Sequence, residues 1–145
     1  MWDFAEFQKD LDHFAEVEVP TQFKRRQIEI ILFLFRRVVH YTPVHDPTLG
    51  KDKNIPGGHA RSNWQVDTLI NNNVLGTRQE PIELIDEETI RGNLSKMRVG
   101  EKLYVFNNVR YIQALEDGNS IDPSKGYMVL QAIEEVKEYM ATKGW

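Results

Sequence analysis

Histidine and carboxylate side chains are the groups in this sequence that could bind a metal ion or assist hydrolysis. His40, His45 and His59 lie in one stretch with Asp46 and Asp52. Imidazole and carboxylate groups are zinc ligands, but these spacings match no zinc-binding pattern. The surrounding segment is rich in proline and glycine, which favours loops. We therefore predict solvated loop residues here, with no metal site and no cofactor.

A second group of possible metal ligands is the acidic run Asp86-Glu87-Glu88. Adjacent carboxylates could coordinate a cation. Acidic residues are also favoured in the first turn of a helix, where they interact with the positive end of the helix dipole. Because a helical segment is predicted to follow, a helix start is the preferred interpretation.

The motifs of several common enzyme classes are missing from the sequence. It contains no Gly-x-Ser-x-Gly, no phosphate-binding or dinucleotide-binding loop and no His-Glu-x-x-His. It also contains no cysteine, which excludes disulfide bonds, thiolate metal sites and a cysteine nucleophile. We expect a protein without catalytic activity.

Two basic clusters, Lys24-Arg25-Arg26 and Arg36-Arg37, lie near opposite ends of one predicted helix. They could pair with acidic side chains of a neighbouring subunit or contact DNA, although solvated flanks are the default interpretation. The net charge is −4 and the isoelectric point is about 5.6. A protein that reads duplex DNA normally has a basic face and a high isoelectric point. The charge balance therefore disfavours such a reader, but it permits a channel through which DNA passes.

The overall composition is that of a folded chain of one-domain size. Its 145 residues predict a single domain over 1–145, and 41% hydrophobic with 28% charged residues is globular rather than disordered. The N-terminus is acidic where a signal peptide would be basic. The most apolar stretch, 27–35, is much shorter than the roughly 20 residues of a membrane span. We expect a soluble protein with no membrane partner.

The apolar spacing predicts two helices in the first part of the chain. Phe4, Phe7, Leu11 and Phe14 recur at intervals of three and four, which predicts an amphipathic helix over 2–17. Val19-Pro20-Thr21 is expected to interrupt it. A second helix is predicted over 21–40. Its middle is apolar nearly all round, so we expect the core or another subunit to cover it.

The remainder predicts shorter elements. A long Pro/Gly-rich loop is expected over 41–60, and a turn-rich region over 69–80. Strands are predicted over 61–68 and 102–106, with an edge strand over 81–85, and helices over 87–97, 111–115 and 125–141. The last helix would bury a face of six residues: Met128, Val129, Ala132, Ile133, Val136 and Met140. The fold class is α+β, with a small, mostly antiparallel sheet packed with N-terminal and C-terminal helices.

Three stretches, taken in order, resemble the minor tail, or neck, protein family of tailed bacteriophages. The first is Thr42-Pro43-Val44, followed downstream by Ala60-Arg61-Ser62-Asn63-Trp64-Gln65-Val66. The second is the strand ending in Asn107-Asn108, then Tyr111 and Leu115-Glu116-Asp117-Gly118-Asn119-Ser120. The third is Pro123-Ser124-Lys125-Gly126-Tyr127-Met128, similar to the opening of the family's C-terminal helix. Order and spacing correspond from 42 to about 130.

This resemblance implies a virion protein of the tail-completion type. Such a subunit would form a homo-oligomeric ring, hexameric by analogy with the tail, that caps the tail tube protein. It would offer a docking face to the head-closure (connector) protein, and viral DNA would pass through the lumen without sequence-specific binding. The protein would be assembled in the host bacterial cytoplasm and reside at the head–tail joint.

One departure from the family pattern is the segment between Val44 and Ala60, where the family has a much shorter turn. Its contacts cannot be carried over from the family. We include this loop, with the predicted second helix and the aromatic N-terminal helix, among the expected contact surfaces. The expected interface residues are the basic clusters and the polar loop side chains Arg25, Arg26, Arg36, Arg37, His45, Asp46, Lys51, Lys53 and His59.

The motif residues are expected to have structural roles. Trp64 should be buried, with Asn63 and Gln65 facing the other way along the strand, and Asn107-Asn108 should supply turn hydrogen bonds. Gly118 should take a positive φ, and Glu116 could pair with Arg61 or Arg110. The full set is Pro43, Arg61, Asn63, Trp64, Asn107, Asn108, Tyr111, Glu116, Gly118 and Gly126.

Two alternatives from other functional classes remain open. One is a small phage-encoded hydrolase that uses Asp and His side chains. The other is a binding module directed at a host component. A stable monomer that turns over a substrate would favour the hydrolase, whereas a ring, or a monomer that becomes a ring only with tail protein, would favour assembly.

Overall fold

A computed structural model describes residues 3–44, 58–70, 83–118 and 127–145. Within these ranges the chain forms six α-helices, one π-helical turn and two strands. In chain order they are α1 (Phe4–His13), the π-turn (Phe14–Glu18), α2 (Val19–Tyr41), α3 (His59–Ser62), β1 (Trp64–Asp67), α4 (Glu87–Leu94), β2 (Tyr104–Asn107), α5 (Ile112–Glu116) and α6 (Met128–Lys143). The predicted α+β class is confirmed.

The second half of α2 is the central element of the fold. Its buried side chains Ile31, Leu32, Phe35 and Val38 recur at intervals of one helical turn and form one face. The helix ends at Tyr41, and Thr42 is extended with φ −71° and ψ 124°. An extended conformation is what the residue before a proline favours, so Pro43 explains where the helix ends.

The sheet is a two-stranded antiparallel pair within the described residues. Trp64 lies opposite Asn107, and Val66 lies opposite Val105. Along β1 the side chains alternate, with Trp64 and Val66 buried and Asp67 exposed. The buried face of β1 packs against α2 and α4, which places the sheet on one side of the central helix.

The hydrophobic core is shared by α2, α4, α6 and β1. Leu32, Ile90, Leu94 and Met128 are almost completely inaccessible to solvent, and Trp64 packs among them. Burial of each such side chain contributes about 1.5–3 kcal/mol to folding. α6 lies along α2, and the rings of Phe33 and Tyr139 stack with their centroids 4.4 Å apart.

Several predicted elements are confirmed with shifted ends. The second helix, the helix after Asp86, the strand ending at Asn107 and the short helix before Gly118 are all present. The last helix begins at Met128 rather than 125, although 125 and 126 lie outside the described residues. Its buried face includes Met128 and Ala132, whereas Val129 and Ile133 are exposed. The predicted face was therefore too wide on the side of Val129 and Ile133, which does not pack against the core.

Three local predictions are wrong. The helix is not interrupted at Val19-Pro20-Thr21: the backbone stays helical from the π-turn into α2, because proline's fixed φ of about −65° is compatible with a helix. The strand predicted over 61–68 begins only at Trp64, because residues His59–Ser62 form the short helix α3, where a loop end and the first strand residues were predicted. Residues 83–85 form no edge strand; they lead into Asp86, which caps α4. The loop segment 45–57 and most of the region 69–80 lie outside the described residues.

In the described part of the chain, no helix is both long enough and apolar enough to cross a membrane.

Candidate functional site

The N-terminal arm, residues 3–23, carries a continuous row of solvent-exposed apolar side chains. Asp3 begins the arm as an N-cap, its carboxylate accepting a hydrogen bond from the Ala5 N–H at 3.0 Å. Every side chain from Asp3 to Val19 is exposed. The apolar row, which we call the arm stripe, has exposed fractions between 45% and 76% and consists of Phe4, Phe7, Leu11, Phe14, Val19 and Phe23.

The π-turn explains how this row remains continuous. A π-helical hydrogen bond joins residues five apart, and here the Val19 N–H donates to the Phe14 carbonyl. The additional residue in this turn places Val19 close to the line of Phe14. In an uninterrupted α-helix, at about 100° per residue, Val19 and Phe23 would lie well away from the line of Phe4, Phe7 and Leu11. The turn therefore extends the stripe into α2.

The arm is also strongly acidic. Residues 3–18 contain one lysine, Lys9, against six carboxylates: Asp3, Glu6, Asp10, Asp12, Glu16 and Glu18. Glu6 and Asp10 are four residues apart and therefore lie on the same flank of the helix. The arm combines aromatic side chains with flanking negative charge.

The cluster Arg36-Arg37 is paired within its own chain. The guanidinium of Arg36 forms a bidentate pair with Glu87 on α4. The guanidinium of Arg37 binds Glu135 on α6, and the Tyr41 hydroxyl donates to the same carboxylate. These two arginines, which we predicted as interface residues, therefore join α2 to its neighbouring helices.

The two pairs shift the pKa values of their members. The hydrogen bond from Arg36 lowers the pKa of the Glu87 carboxyl, and the bond to Glu87 raises the pKa of Arg36. Burial acts to raise the pKa of Glu135, but the hydrogen bonds from Tyr41 and Arg37 outweigh it and the net pKa is lowered. Both carboxylates are thus held in their charged form at neutral pH.

Arg25 and Arg26 differ from this pattern, because neither has an acidic partner among the described residues. Both are exposed at the start of α2. The guanidinium carbon of Arg26 lies 5.5 Å from the ring centroid of Trp145, a cation–π contact. Gly144, with φ 68°, ends α6, and the Trp145 N–H donates to the Met140 carbonyl at 2.9 Å. This turn places Trp145 beside α2.

An open recess of about 250 Å³ lies at this point, lined by Gln22, Arg25, Arg26, Glu29 and Trp145. Glu29 is already paired with Arg91, at 2.6 Å. The charge that remains available in the recess is therefore that of the two arginines. We call these five residues the basic recess.

Three residues of the first motif stretch, Thr42, Arg61 and Trp64, come together at the end of α2. The indole N–H of Trp64 donates to the Thr42 hydroxyl at 2.6 Å, and that hydroxyl donates to the Val38 carbonyl at 2.6 Å. The Arg61 guanidinium donates to the Thr42 carbonyl at 3.1 Å. Thr42, Pro43 and Trp64 are buried, which confirms the predicted burial of Trp64. The network fixes the chain as it leaves the helix.

Asn63 and His59 differ from their predicted positions. Asn63 was predicted to lie on the same strand as Trp64 and to face the other way. Instead it precedes β1 and is buried at the end of α3, where its amide donates to the His59 carbonyl at 2.6 Å. His59 is not a solvated loop residue, since it is 6% exposed, with its ring 6.3 Å from that of Tyr111. The left-handed Gly58 (φ 82°) allows α3 to form and turns both residues inward.

Asn107 provides the turn hydrogen bonds that we predicted. Its amide donates to the Ala60 carbonyl at 2.7 Å, and its side-chain oxygen accepts from the Val109 N–H at 3.0 Å. The same side chain therefore ties the end of β2 to α3.

Glu116 has a different partner from the arginines considered above. Its carboxylate accepts hydrogen bonds from the N–H groups of Val129 and Leu130, at 2.9 and 3.2 Å, and so caps the start of α6. Gly118 has a φ of 85°, as predicted. A Cβ added there would lie 2.5 Å from the Tyr127 hydroxyl. The turn and the helix start therefore fit closely against each other.

The metal-binding hypotheses find no support in the described part of the chain. No group of three or more His, Asp or Glu side chains there could hold a metal ion. His45, Asp46 and Asp52 lie outside the described residues, as do the predicted interface residues Lys51 and Lys53 and the motif residue Gly126. Asp86 accepts a hydrogen bond from the Thr89 N–H at 2.8 Å, which lowers the pKa of its carboxyl, and it caps α4 as predicted.

Sequence reasoning missed two features of the candidate surface, the π-turn and the basic recess. The spacing Phe14-Val19-Phe23 carries a signal for the turn, since five residues separate the first pair where an α-helical stripe needs three or four. The recess had no sequence signal, because Trp145 and Arg25 are far apart along the chain and only the packing of α6 on α2 joins them.

Comparisons with protein-family models, curated protein sequences and solved structures find no match to this chain. The phage-like character of the motifs therefore remains a prediction drawn from their order and spacing.

Proposed function

We propose that this chain is a structural subunit of the head–tail joint of a tailed bacteriophage. In this proposal it forms a homo-oligomeric, hexameric ring of the tail-completion type. The ring caps the tail tube and presents a docking face to the head-closure protein. DNA passes through its centre without being read.

The observation that carries the proposal is the arm stripe. Six large apolar side chains are exposed in one row on a helix that stands apart from the core. Single exposed apolar residues are common, but a contiguous apolar patch rimmed by polar residues marks a surface that binds another molecule. An assembly subunit needs such a surface, because its function consists of contacts with other protein copies.

The motif network supports the same interpretation. Four side chains in the stretches that resemble the neck family form hydrogen bonds to backbone groups or to one another at the junction of α2, α3 and the sheet: Arg61, Asn63, Trp64 and Asn107. Roles of this kind preserve a shape. A ring subunit depends on a fixed shape, because each contact must recur at the same angle for the ring to close.

The excess of acidic residues is compatible with a ring through which DNA passes and disfavours a protein that binds DNA by its sequence. The net charge is −4, and the acidic arm contributes more negative charge than any other segment of its length. Negative groups repel phosphates, so a lumen lined by them would not retain the duplex.

Electron microscopy of phage particles assembled without this chain tests the proposal. We expect full heads and completed tails that fail to join. Joined, infectious virions assembled in its absence would contradict the proposal, as would substrate turnover by a persistent monomer.

A complementation experiment links this outcome to the arm. Wild-type protein should restore joining, whereas Phe7→Gln/Leu11→Gln should not, because glutamine keeps the helix and removes the apolar contact. The matched control is Lys9→Gln/His13→Gln, which changes two residues on the opposite side of α1 and should restore joining.

A further inference from the structure

The basic recess has the chemistry of a receptor for an aromatic side chain flanked by carboxylates. Its walls supply the guanidinium groups of Arg25 and Arg26 and the indole of Trp145. Cations and aromatic rings both pack favourably against an aromatic ring. An apolar cavity of roughly 150 Å³ is enough to hold benzene, so an open recess of about 250 Å³ can admit a phenyl ring.

The N-terminal arm of the same chain carries aromatic side chains flanked by carboxylates. Its stripe includes Phe4, Phe7 and Phe14, and Glu6 and Asp10 lie beside them on one flank. Arg25 and Arg26 lack acidic partners among the described residues, whereas Glu29 at the recess is already neutralised by Arg91. The arm therefore offers phenyl rings and negative charge, and the recess offers an indole ring and positive charge.

A chain cannot place the α1 part of its own arm in its own recess. The arm and α2 continue as one helix through the π-turn, so Phe7 lies about 27 Å along the helix axis from Arg25. The complementary surface that Phe7 can reach therefore belongs to another copy.

We propose that the arm of one copy docks in the basic recess of a second copy. A phenylalanine of α1 enters beside Trp145, and the carboxylates of Glu6 and Asp10 face the guanidinium groups of Arg25 and Arg26. This inference rests on the proposed function, since it names the partner of the arm within the ring.

The arm is the longer of the two surfaces, extending over about 20 residues and about 30 Å of helix. Because the arm and the recess are different surfaces, the contact is head-to-tail and can repeat from copy to copy until a ring closes.

A charge-swap experiment with the full chain tests the docking. One variant reverses the recess, Arg25→Glu/Arg26→Glu, and the other reverses the arm, Glu6→Arg/Asp10→Arg. Analytical ultracentrifugation measures the association of each. We expect the dissociation constant of either variant alone to rise at least about tenfold, because like charges then face each other.

Mixing the two variants provides the decisive measurement. In the mixture, each acidic arm meets a basic recess and each basic arm meets an acidic recess, so association should return to within about threefold of wild type. Lys102→Glu/Arg110→Glu is the matched control, with the same charge change on exposed residues that flank β2 and do not line the recess. It should associate as wild type does.

The possible failures are distinguishable. Association unaffected by Arg25→Glu/Arg26→Glu, or a mixture that does not recover, overturns the docking in the recess. If Phe7→Gln/Leu11→Gln still abolishes assembly in that case, the proposed function stands and the arm binds elsewhere. Recovery of the mixture to dimers alone would support arm–recess docking and contradict the ring.

Discussion

The two halves of the long N-terminal helix each carry a row of apolar side chains, but the surroundings of the two rows are opposite. In the second half, Leu32, Phe35 and Val38 are buried against α6 and the sheet. In the first half, Phe7 and Leu11 are 47% exposed, and every side chain from Asp3 to Val19 is exposed. Apolar periodicity therefore predicts that a helix forms and which face needs covering, but it does not predict what covers that face.

The π-turn lies within the exposed half. It inserts one residue into the helical repeat, and π-helical turns of this kind are frequent at functional sites. The exposed stripe continues past the turn to Phe23, and the core-facing row begins at Ile28. One helix thus connects a folded core to a surface available to a partner.

A pair of identical substitutions gives the largest expected contrast between the halves. Leu32→Ala should lower the free energy of unfolding by about 2–5 kcal/mol, because it removes buried methyl groups and leaves a cavity. Leu11→Ala should change it by no more than about 0.5 kcal/mol, because Leu11 is 47% exposed and alanine favours the helix.

Urea unfolding followed by circular dichroism, at a protein concentration low enough to keep the chain monomeric, measures both values. At higher concentrations Leu11→Ala should become destabilising as well, since association stabilises the folded state. Equal losses for the two variants in dilute solution would show that the arm is part of the monomer's core.

Three Gly→Ala substitutions test how closely the folded part of the chain outside the arm is packed. Gly118→Ala should destabilise by about 1–3 kcal/mol, because φ is 85° and the new Cβ would meet the Tyr127 ring. Gly100→Ala, also at positive φ but with open space around it, should lose less. Gly92→Ala, inside α4 and unobstructed, should gain about 0.5–1 kcal/mol. Thermal melts rank the three variants, and any other order would contradict the close packing at Tyr127.

The hydrogen-bonded end of α2 offers a smaller test. Thr42→Val should cost about 1–2 kcal/mol, because it leaves the buried Trp64 indole N–H without its acceptor. Thr42→Ser, which keeps the hydroxyl, is the control and should lose less. The two variants can be compared by urea unfolding monitored through tryptophan fluorescence. Equal losses would show that the methyl group, rather than the hydroxyl, supports the junction.

Removing an ion pair of α2 should have the smallest effect on the free energy of unfolding, and this effect should depend on pH. The pKa values of Glu87 and Glu135 are lowered from 4.5 in the folded chain, so the stability they provide is present above that pH and is lost as the pH falls through their folded values. Glu135→Gln should cost about 0.5–1 kcal/mol at pH 7, since the pair is partly exposed.

The loss caused by Glu135→Gln should shrink toward zero in acid. Glu88→Gln, which changes the carboxylate next to Glu87, controls for the removal of one negative charge. Unfolding midpoints measured between pH 7 and pH 3 test this prediction. A loss that stays constant over that range would show that the ion pair does not contribute.

Much of the fold could be predicted from local sequence signals. Regular apolar spacing predicted the long helices, the Pro/Gly-rich segment from 41 predicted the end of α2, and Asp86-Glu87-Glu88 predicted the start of α4. The burial of Trp64 and the positive φ of Gly118 also followed from residue type. These are properties that a residue and its near neighbours determine.

The candidate site was harder to predict because its features depend on distant partners. The aromatic N-terminal helix was expected to be a contact surface, but nothing in its sequence showed that it would lie outside the core. Arg36 and Arg37 were expected at an interface, yet Glu87 and Glu135 neutralise them within the chain. Arg25 and Arg26 have the same sequence character and differ only in what the fold places beside them.

The central claim is that the arm stripe exists to contact other protein chains. Sedimentation equilibrium of the full chain over a range of concentrations, with and without tail tubes, measures this directly. We predict that wild-type protein reaches the mass of a ring and that Phe7→Gln/Leu11→Gln stays at the mass of one chain. A wild-type protein that remains a single chain in every condition, tail tubes included, would contradict the claim.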